Sequence, residues 1–183
     1  DSINFIGGNK VHDQYQLPGA FHKAADFASA AYEDINTVGD VRGYSVDRDI
    51  STDQFKVFVD EKNKRLVYAL RGSAVAKDFL ISDVAVMAGQ EAVQTQEARE
   101  HLRHVMARYA DYEKEIVGHS LSGITASRLN VENPGMFKRN IVFNPASSPL
   151  GDEKYTQYLK EAYNNQNTFI STVKKDAVSA GML

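Results

Sequence analysis

From Gly19 onward apolar residues recur at helical spacing. Phe21, Ala24, Ala28, Ala31, Tyr32 and Ile35 lie along one side, which predicts an amphipathic first helix. Lys56 to Val59 and Arg65 to Leu70 then read as two strands joined by a polar turn at Glu61-Lys62-Asn63. The second strand holds Leu66-Val67-Tyr68-Ala69-Leu70 with no polar alternation, as a strand covered on both faces should. Glu91 to Tyr109 is the clearest helix, with Ala98, Leu102, Val105, Met106 and Tyr109 on one side and charges on the other. A short apolar strand, Glu115-Ile116-Val117, leads into a further helix that ends at Asn133-Pro134-Gly135. Ile141-Val142-Phe143 is again a short strand. Asp152 reads as the cap of a helix that turns Tyr155, Tyr158, Leu159, Ala162 and Tyr163 inward, and Thr168 to Val173 as the last strand.

Strands that alternate with helices imply an α/β fold, with a mainly parallel central sheet and helices on both faces. Active sites of such sheets lie beyond the C-terminal ends of the strands. Neither an internal repeat nor a low-complexity linker divides the chain, and 183 residues suit a single domain. Residues 1–18, with Gly7-Gly8 and Pro18, read as an irregular arm or short edge strand ahead of a domain over 19–183. Composition narrows function only by exclusion. Hydrophobic content of 43% with 25% charge is that of a globular chain. The balance of 21 basic against 24 acidic residues leaves no basic stripe for nucleic acid. With no cysteine there is no disulfide, no thiolate metal site and no cysteine nucleophile. No apolar run reaches the roughly 18 residues of a membrane span. The opening Asp1-Ser2-Ile3-Asn4 has neither an initiator methionine nor a signal-peptide layout. The expectation is a fragment, a processed product or a trimmed chain, with C-terminal truncation among the options.

The chemistry concentrates where strand Glu115-Ile116-Val117 meets Gly118-His119-Ser120-Leu121-Ser122-Gly123 and then a helix. A nucleophile elbow needs this setting: a strand feeding a tight turn that lifts a serine Oγ above the sheet. Gly118 and the small residue at 122 let strand and helix approach, and the helix N-terminus behind Ser120 favours an oxyanion. The competing reading of Ser120 is an ordinary helix N-cap.

An ordered set of motifs extends this. Ala30-Ala31-Tyr32, Leu70-Arg71-Gly72-Ser73, Asp78 and Asp83 around Phe79, Gly118-His119-Ser120-Leu121, Phe143-Asn144-Pro145 and Asp176-Ala177-Val178 follow one another along the chain. In this order the stretch from about Gly19 to Ala180 resembles the class 3 lipases, triacylglycerol-lipase-like α/β hydrolases. The resemblance implies an α/β-hydrolase-like fold. It implies Ser120 as nucleophile, Asp176 as the triad acid, and Ser73 with the Leu121 backbone N–H as the oxyanion hole. Gly118, His119 and Ser122 would support the elbow, and Ala74 to Ala88 would correspond to the lid region. It implies a lipid or small ester as substrate, with transient contact with a membrane or lipid surface, and neither cofactor nor metal. One departure is Ser122, where the family has glycine; the elbow should survive with slight strain.

The second departure concerns the base. A serine hydroxyl needs an imidazole to take its proton, and in this fold the order is serine, acid, histidine. After Asp176 only Ala177 to Leu183 remain, without a histidine, and His12, His22, His101, His104 and His119 all precede Ser120. His119 should point away from the Oγ and pack structurally. Three accounts stand open: the histidine lies outside this sequence; the domain is a degenerate hydrolase kept for binding or architecture, as in a larger polyprotein or virion assembly; or an N-terminal histidine substitutes. Losing a triad member costs about 10⁴- to 10⁶-fold in turnover, so these residues alone should have at most trace esterase activity.

Other clusters read as structural. His101 and His104 sit three apart on the long helix without a convincing third metal ligand. Asp78 and Asp83 suit loop hydrogen bonding, and Asp47, Asp49 and Asp53 read as a solvated acidic loop, since no calcium-loop pattern completes them. Gly7-Gly8-Asn9-Lys10 lacks the flanking strand and helix of a phosphate loop.

Overall fold

The computed structural model describes residues 18–72, 84–143 and 153–171. Among these, six strands form one sheet in chain order: β1 (Ser45–Val46), β2 (Phe55–Asp60), β3 (Arg65–Leu70), β4 (Glu113–His119), β5 (Arg139–Phe143) and β6 (Thr168–Ser171). β1, β2 and β3 pair antiparallel, and β3 to β6 pair parallel, with Leu70 opposite Gly118 and His119 opposite Phe143. The helices are α1 (Pro18–Ala30), α2 (Val84–Arg108), α3 (Leu121–Glu132) and α4 (Glu153–Tyr163). The architecture is that of an α/β hydrolase, with the parallel strands at its centre.

Alternation along each strand sends residues to two separate cores. Val67, Ala69, Val117, Ile141 and Phe169 meet Phe21, Phe27 and the alanines of α1 on one face. Leu66, Tyr68, Leu70, Ile116, Val142 and Ile170 meet Ala98, Leu102 and Val105 of α2 and Ala126 and Leu129 of α3 on the other. The strands are covered on both sides, which is why their sequences lack polar alternation. α4 packs on α3 through Leu159 against Leu121 and Ile124.

The element boundaries differ from the sequence reading for identifiable reasons. α1 begins at Pro18, whose missing N–H costs nothing in a first turn, and stops at Ala30 instead of running to Ile35. Asp34 diverts the chain there: its Oδ1 accepts from Asn36 N–H at 2.7 Å, and its carbonyl accepts from Thr37 N–H at 3.0 Å. Tyr32 and Ile35 still pack against the α1 core from that turn, so the apolar spacing outlives the helix. α2 starts at Val84, seven residues before Glu91, because its apolar first turns show no polar face. β4 extends to Glu113 at one end and His119 at the other. Its charged start is paired instead of apolar, Glu113 with Arg65 at 3.7 Å and Glu115 with Arg139 at 3.3 Å.

The reading of Asp47, Asp49 and Asp53 as a solvated loop holds for Asp49 and Asp53, which are exposed, and is corrected for Asp47. Asp47 is buried: its Oδ1 accepts the Asp49 N–H at 3.0 Å, and its Oδ2 accepts from the Tyr109 hydroxyl and pairs with Arg108 Nε at 3.2 Å. Asp53 Oδ1 accepts the Ile35 N–H at 2.8 Å. Both carboxylates pin loops.

Candidate active site

β4 runs to His119, α3 begins at Leu121, and Ser120 alone makes the turn between them. Its backbone sits at φ 58° and ψ −123°, a region an L-residue adopts only under strain of about 1–3 kcal/mol. No side-chain capping bond accompanies this, so the N-cap reading of Ser120 fails. The turn is held by main-chain bonds: Ser120 N–H donates to Phe143 O at 3.1 Å, and Gly123 N–H donates to Ser120 O at 3.0 Å. Ser120 is half-buried while Leu121 behind it is buried. The first amides of a helix lack intrahelical acceptors, and those of α3 begin at Leu121.

Gly118 is what allows α3 to sit so close. A Cβ there would lie 2.3 Å from the Ser122 carbonyl oxygen and 2.9 Å from Gly123 N. Gly72 makes a second close approach: a Cβ there would lie 2.4 Å from the Tyr32 hydroxyl and 2.7 Å from the His119 carbonyl oxygen. Gly72 therefore lies directly against the end of β4. Ser73, Asp176, Asp78, Asp83, His12 and residues 74–83 of the expected lid lie outside the described residues; 84–88 of that segment are the start of α2.

His119 is buried, and its Nδ1 lies 2.6 Å from the Tyr32 hydroxyl, the structural role expected of it. Ser122, expected to be small enough for the elbow to survive, also hydrogen-bonds there. Its buried Oγ accepts the His119 N–H at 2.9 Å and lies 2.9 Å from Leu70 O and 2.8 Å from His119 O. His101 is held between Tyr68 OH at 2.7 Å and Ile50 O at 2.6 Å, and burial lowers its pKa. His22 and His104 are exposed. Among the described residues no histidine is hydrogen-bonded to Ser120, and no group of three His, Asp or Glu side chains could hold a metal. No described helix is long and apolar enough to cross a membrane.

A buried polar layer between α2, α3 and α4 was not anticipated from sequence. The Glu91 carboxylate accepts from Thr95 Oγ1 at 2.8 Å and Tyr158 OH at 2.9 Å, and Arg128 stacks 3.4 Å from the Tyr158 ring centroid. Burial, then Glu91, raises the Tyr158 pKa. Gln94 Nε2 donates to Arg71 O at 2.8 Å, tying α2 to the residue before Gly72. Glu91 and Thr95 stand one helical turn apart, the signal that could have revealed a polar seam.

A strained serine between a parallel strand and a helix N-terminus, with glycine where the two touch, defines a lipase-like α/β-hydrolase fold. Solved structures agree on that fold. The Lip2 lipase from Yarrowia lipolytica is 14% identical, matching 98% of this chain and 77% of its own at a TM-score of 0.60. A fungal lipase is 16% identical over 86% of this chain and 70% of its own, at 0.53. A mutant form of MDLA from Penicillium cyclopium is 19% identical with the same coverage, at 0.52. By sequence, residues 74–182 match the model of the uncharacterised protein family UPF0227, and the chain belongs to that family. No curated protein matches it.

Proposed function

We infer that the protein is a serine carboxylic-ester hydrolase acting on lipid-like or small esters at or near a lipid surface. The observation that carries this is the backbone of Ser120, strained at φ 58° without a capping bond. Strain of that kind persists where the surrounding structure enforces it, and here it serves to aim a hydroxyl. In this reading an imidazole from outside these 183 residues, oriented by Asp176, takes the Ser120 proton as Oγ attacks the acyl carbonyl. The Leu121 N–H and Ser73 receive the charge on the carbonyl oxygen. The imidazolium protonates the departing alcohol, and water, deprotonated by the same imidazole, then releases the acid from the acyl-enzyme. The lipase neighbours of this fold support an ester substrate.

A fluorophosphonate probe tests this. The full-length protein should be labelled at Ser120 and should hydrolyse p-nitrophenyl esters, and Ser120→Ala should abolish both. These 183 residues alone should label slowly. A full-length protein that takes no label overturns the reading and leaves a lipase-like binding module.

A further inference from the structure

Two hydroxyls, that of buried Ser122 and that of partly buried Tyr32, meet at the base of the elbow from opposite sides. Ser122 Oγ, in the first turn of α3, accepts the His119 N–H and shares its own proton between His119 O and Leu70 O. The contact with His119 O is local, of the kind any serine in a first helical turn makes. The one with Leu70 O is not, because Leu70 ends β3, 52 residues earlier. From the other side the Tyr32 hydroxyl meets His119 Nδ1, 87 residues away, and packs on the Cα of Gly72.

His119 thus stands between two polar contacts that both lead to the stretch Leu70–Gly72, the backbone running into Ser73. Ordinary sheet pairing already fixes Leu70 opposite Gly118. It does not fix what lies beyond the strand ends, where Ser120 follows β4 and Arg71-Gly72 follow β3.

We propose that Ser122 and Tyr32 are positioning residues: through His119 they fix the backbone of Ser120 against the β3 exit that carries the oxyanion-side segment. This rests on the ester-hydrolase reading. Neither hydroxyl is hydrogen-bonded to Ser120; each holds the backbone next to the nucleophile against Leu70–Gly72. Geometry of that sort is sensitive, since a displacement of about 1 Å costs on the order of 100-fold in rate. Glycine at position 122 would keep the close packing of strand and helix but lose the link to Leu70.

The test uses the full-length protein with Ser122→Ala and Tyr32→Phe, assayed well below each variant's unfolding midpoint. The rate of fluorophosphonate labelling at Ser120 and kcat for a p-nitrophenyl ester should each fall about tenfold, the equivalent of one hydrogen bond to a constrained group, with KM unchanged. The double variant should lose less than the product of the two, because both act through His119. If Ser122→Ala does not fold, Ser122→Cys, near-isosteric but a weak hydrogen-bonding partner, takes its place. Wild-type rates in folded variants overturn the proposal. If the wild-type protein takes no label, the ester-hydrolase reading fails on its own. The brace is then read from amide hydrogen exchange over 119–123, which should quicken about tenfold in both variants relative to β6; unchanged exchange overturns it.

Discussion

Gly118 and Ser122 stand so close that a Cβ on the glycine would come 2.3 Å from the serine's carbonyl oxygen. The obstacle is backbone, not the end of a side chain that could swing aside. Gly118→Ala must therefore push α3 away from β4. Overpacking of this kind costs about 1–3 kcal/mol, and the same shift carries Ser120 out of its turn. Urea denaturation should show the loss of stability, and Ser120 labelling in the full-length protein should disappear even where the variant is folded.

Ser120 itself should be more stable as glycine. Its φ of 58° with ψ −123° is unfavourable for any residue with a Cβ by about 1–3 kcal/mol, against which glycine's extra unfolded-state freedom sets about 0.5–1 kcal/mol. Ser120→Gly should accordingly exceed Ser120→Ala in stability by about 0.5–2 kcal/mol, although both remove the nucleophile. Equal unfolding midpoints for the two would mean that the turn is unstrained.

What the sequence made legible follows the range of the forces involved. The parallel strands announce themselves as apolar runs because both faces are covered, and the elbow is visible because glycine, serine and a helix start must adjoin in sequence. Contacts between distant residues leave no such trace. Asp47 looked solvated because its partners, Arg108 and Tyr109, lie some 60 positions away. Ser122 looked like a substitution to be tolerated because Leu70, which it contacts, is on another strand. Tyr32 reads as one more apolar position continuing the first helix, since nothing local reveals that its hydroxyl reaches His119.

Asp47 should prove costly to remove. Its carboxylate holds the N–H groups of Asp49 and Ile50, the Tyr109 hydroxyl and the Arg108 guanidinium, and burial followed by Asp47 itself raises the Tyr109 pKa. Asp47→Ala strands these partners, and hydrogen bonds to a buried charged group contribute about 1.5–3 kcal/mol. Tyr109→Phe removes one donor and should cost about 1 kcal/mol. Denaturant midpoints should preserve that order, and a silent Asp47→Ala would show the loop to be held by its backbone alone.

Lys56 gives the fold a pH dependence of unusual sign. Its side chain is fully buried, with Nζ donating to Ala31 O at 2.7 Å and Asp53 O at 2.6 Å. Burial, and next the nearby Arg71, bring its pKa down to about 8, against the pull of Asp53, Glu33 and Asp34. Below that value both folded and unfolded chains carry the proton, and the folded state bears the cost of the buried charge. Above it the folded chain releases the proton while the unfolded chain holds it up to 10.5, so stability rises with pH across this window. Between about pH 7.5 and 9.5 the gain from Lys56 should be roughly 2 kcal/mol. No cysteine titrates in that range, and the buried hydroxyl of Tyr68, whose pKa burial raises, opposes the trend only above about pH 10. Lys56→Met removes the titrating group, so the stability of wild type relative to this variant should rise by that amount from about pH 7.5 to 9.5. Parallel pH profiles for the two proteins would show that the ammonium is solvated as an ordinary lysine is.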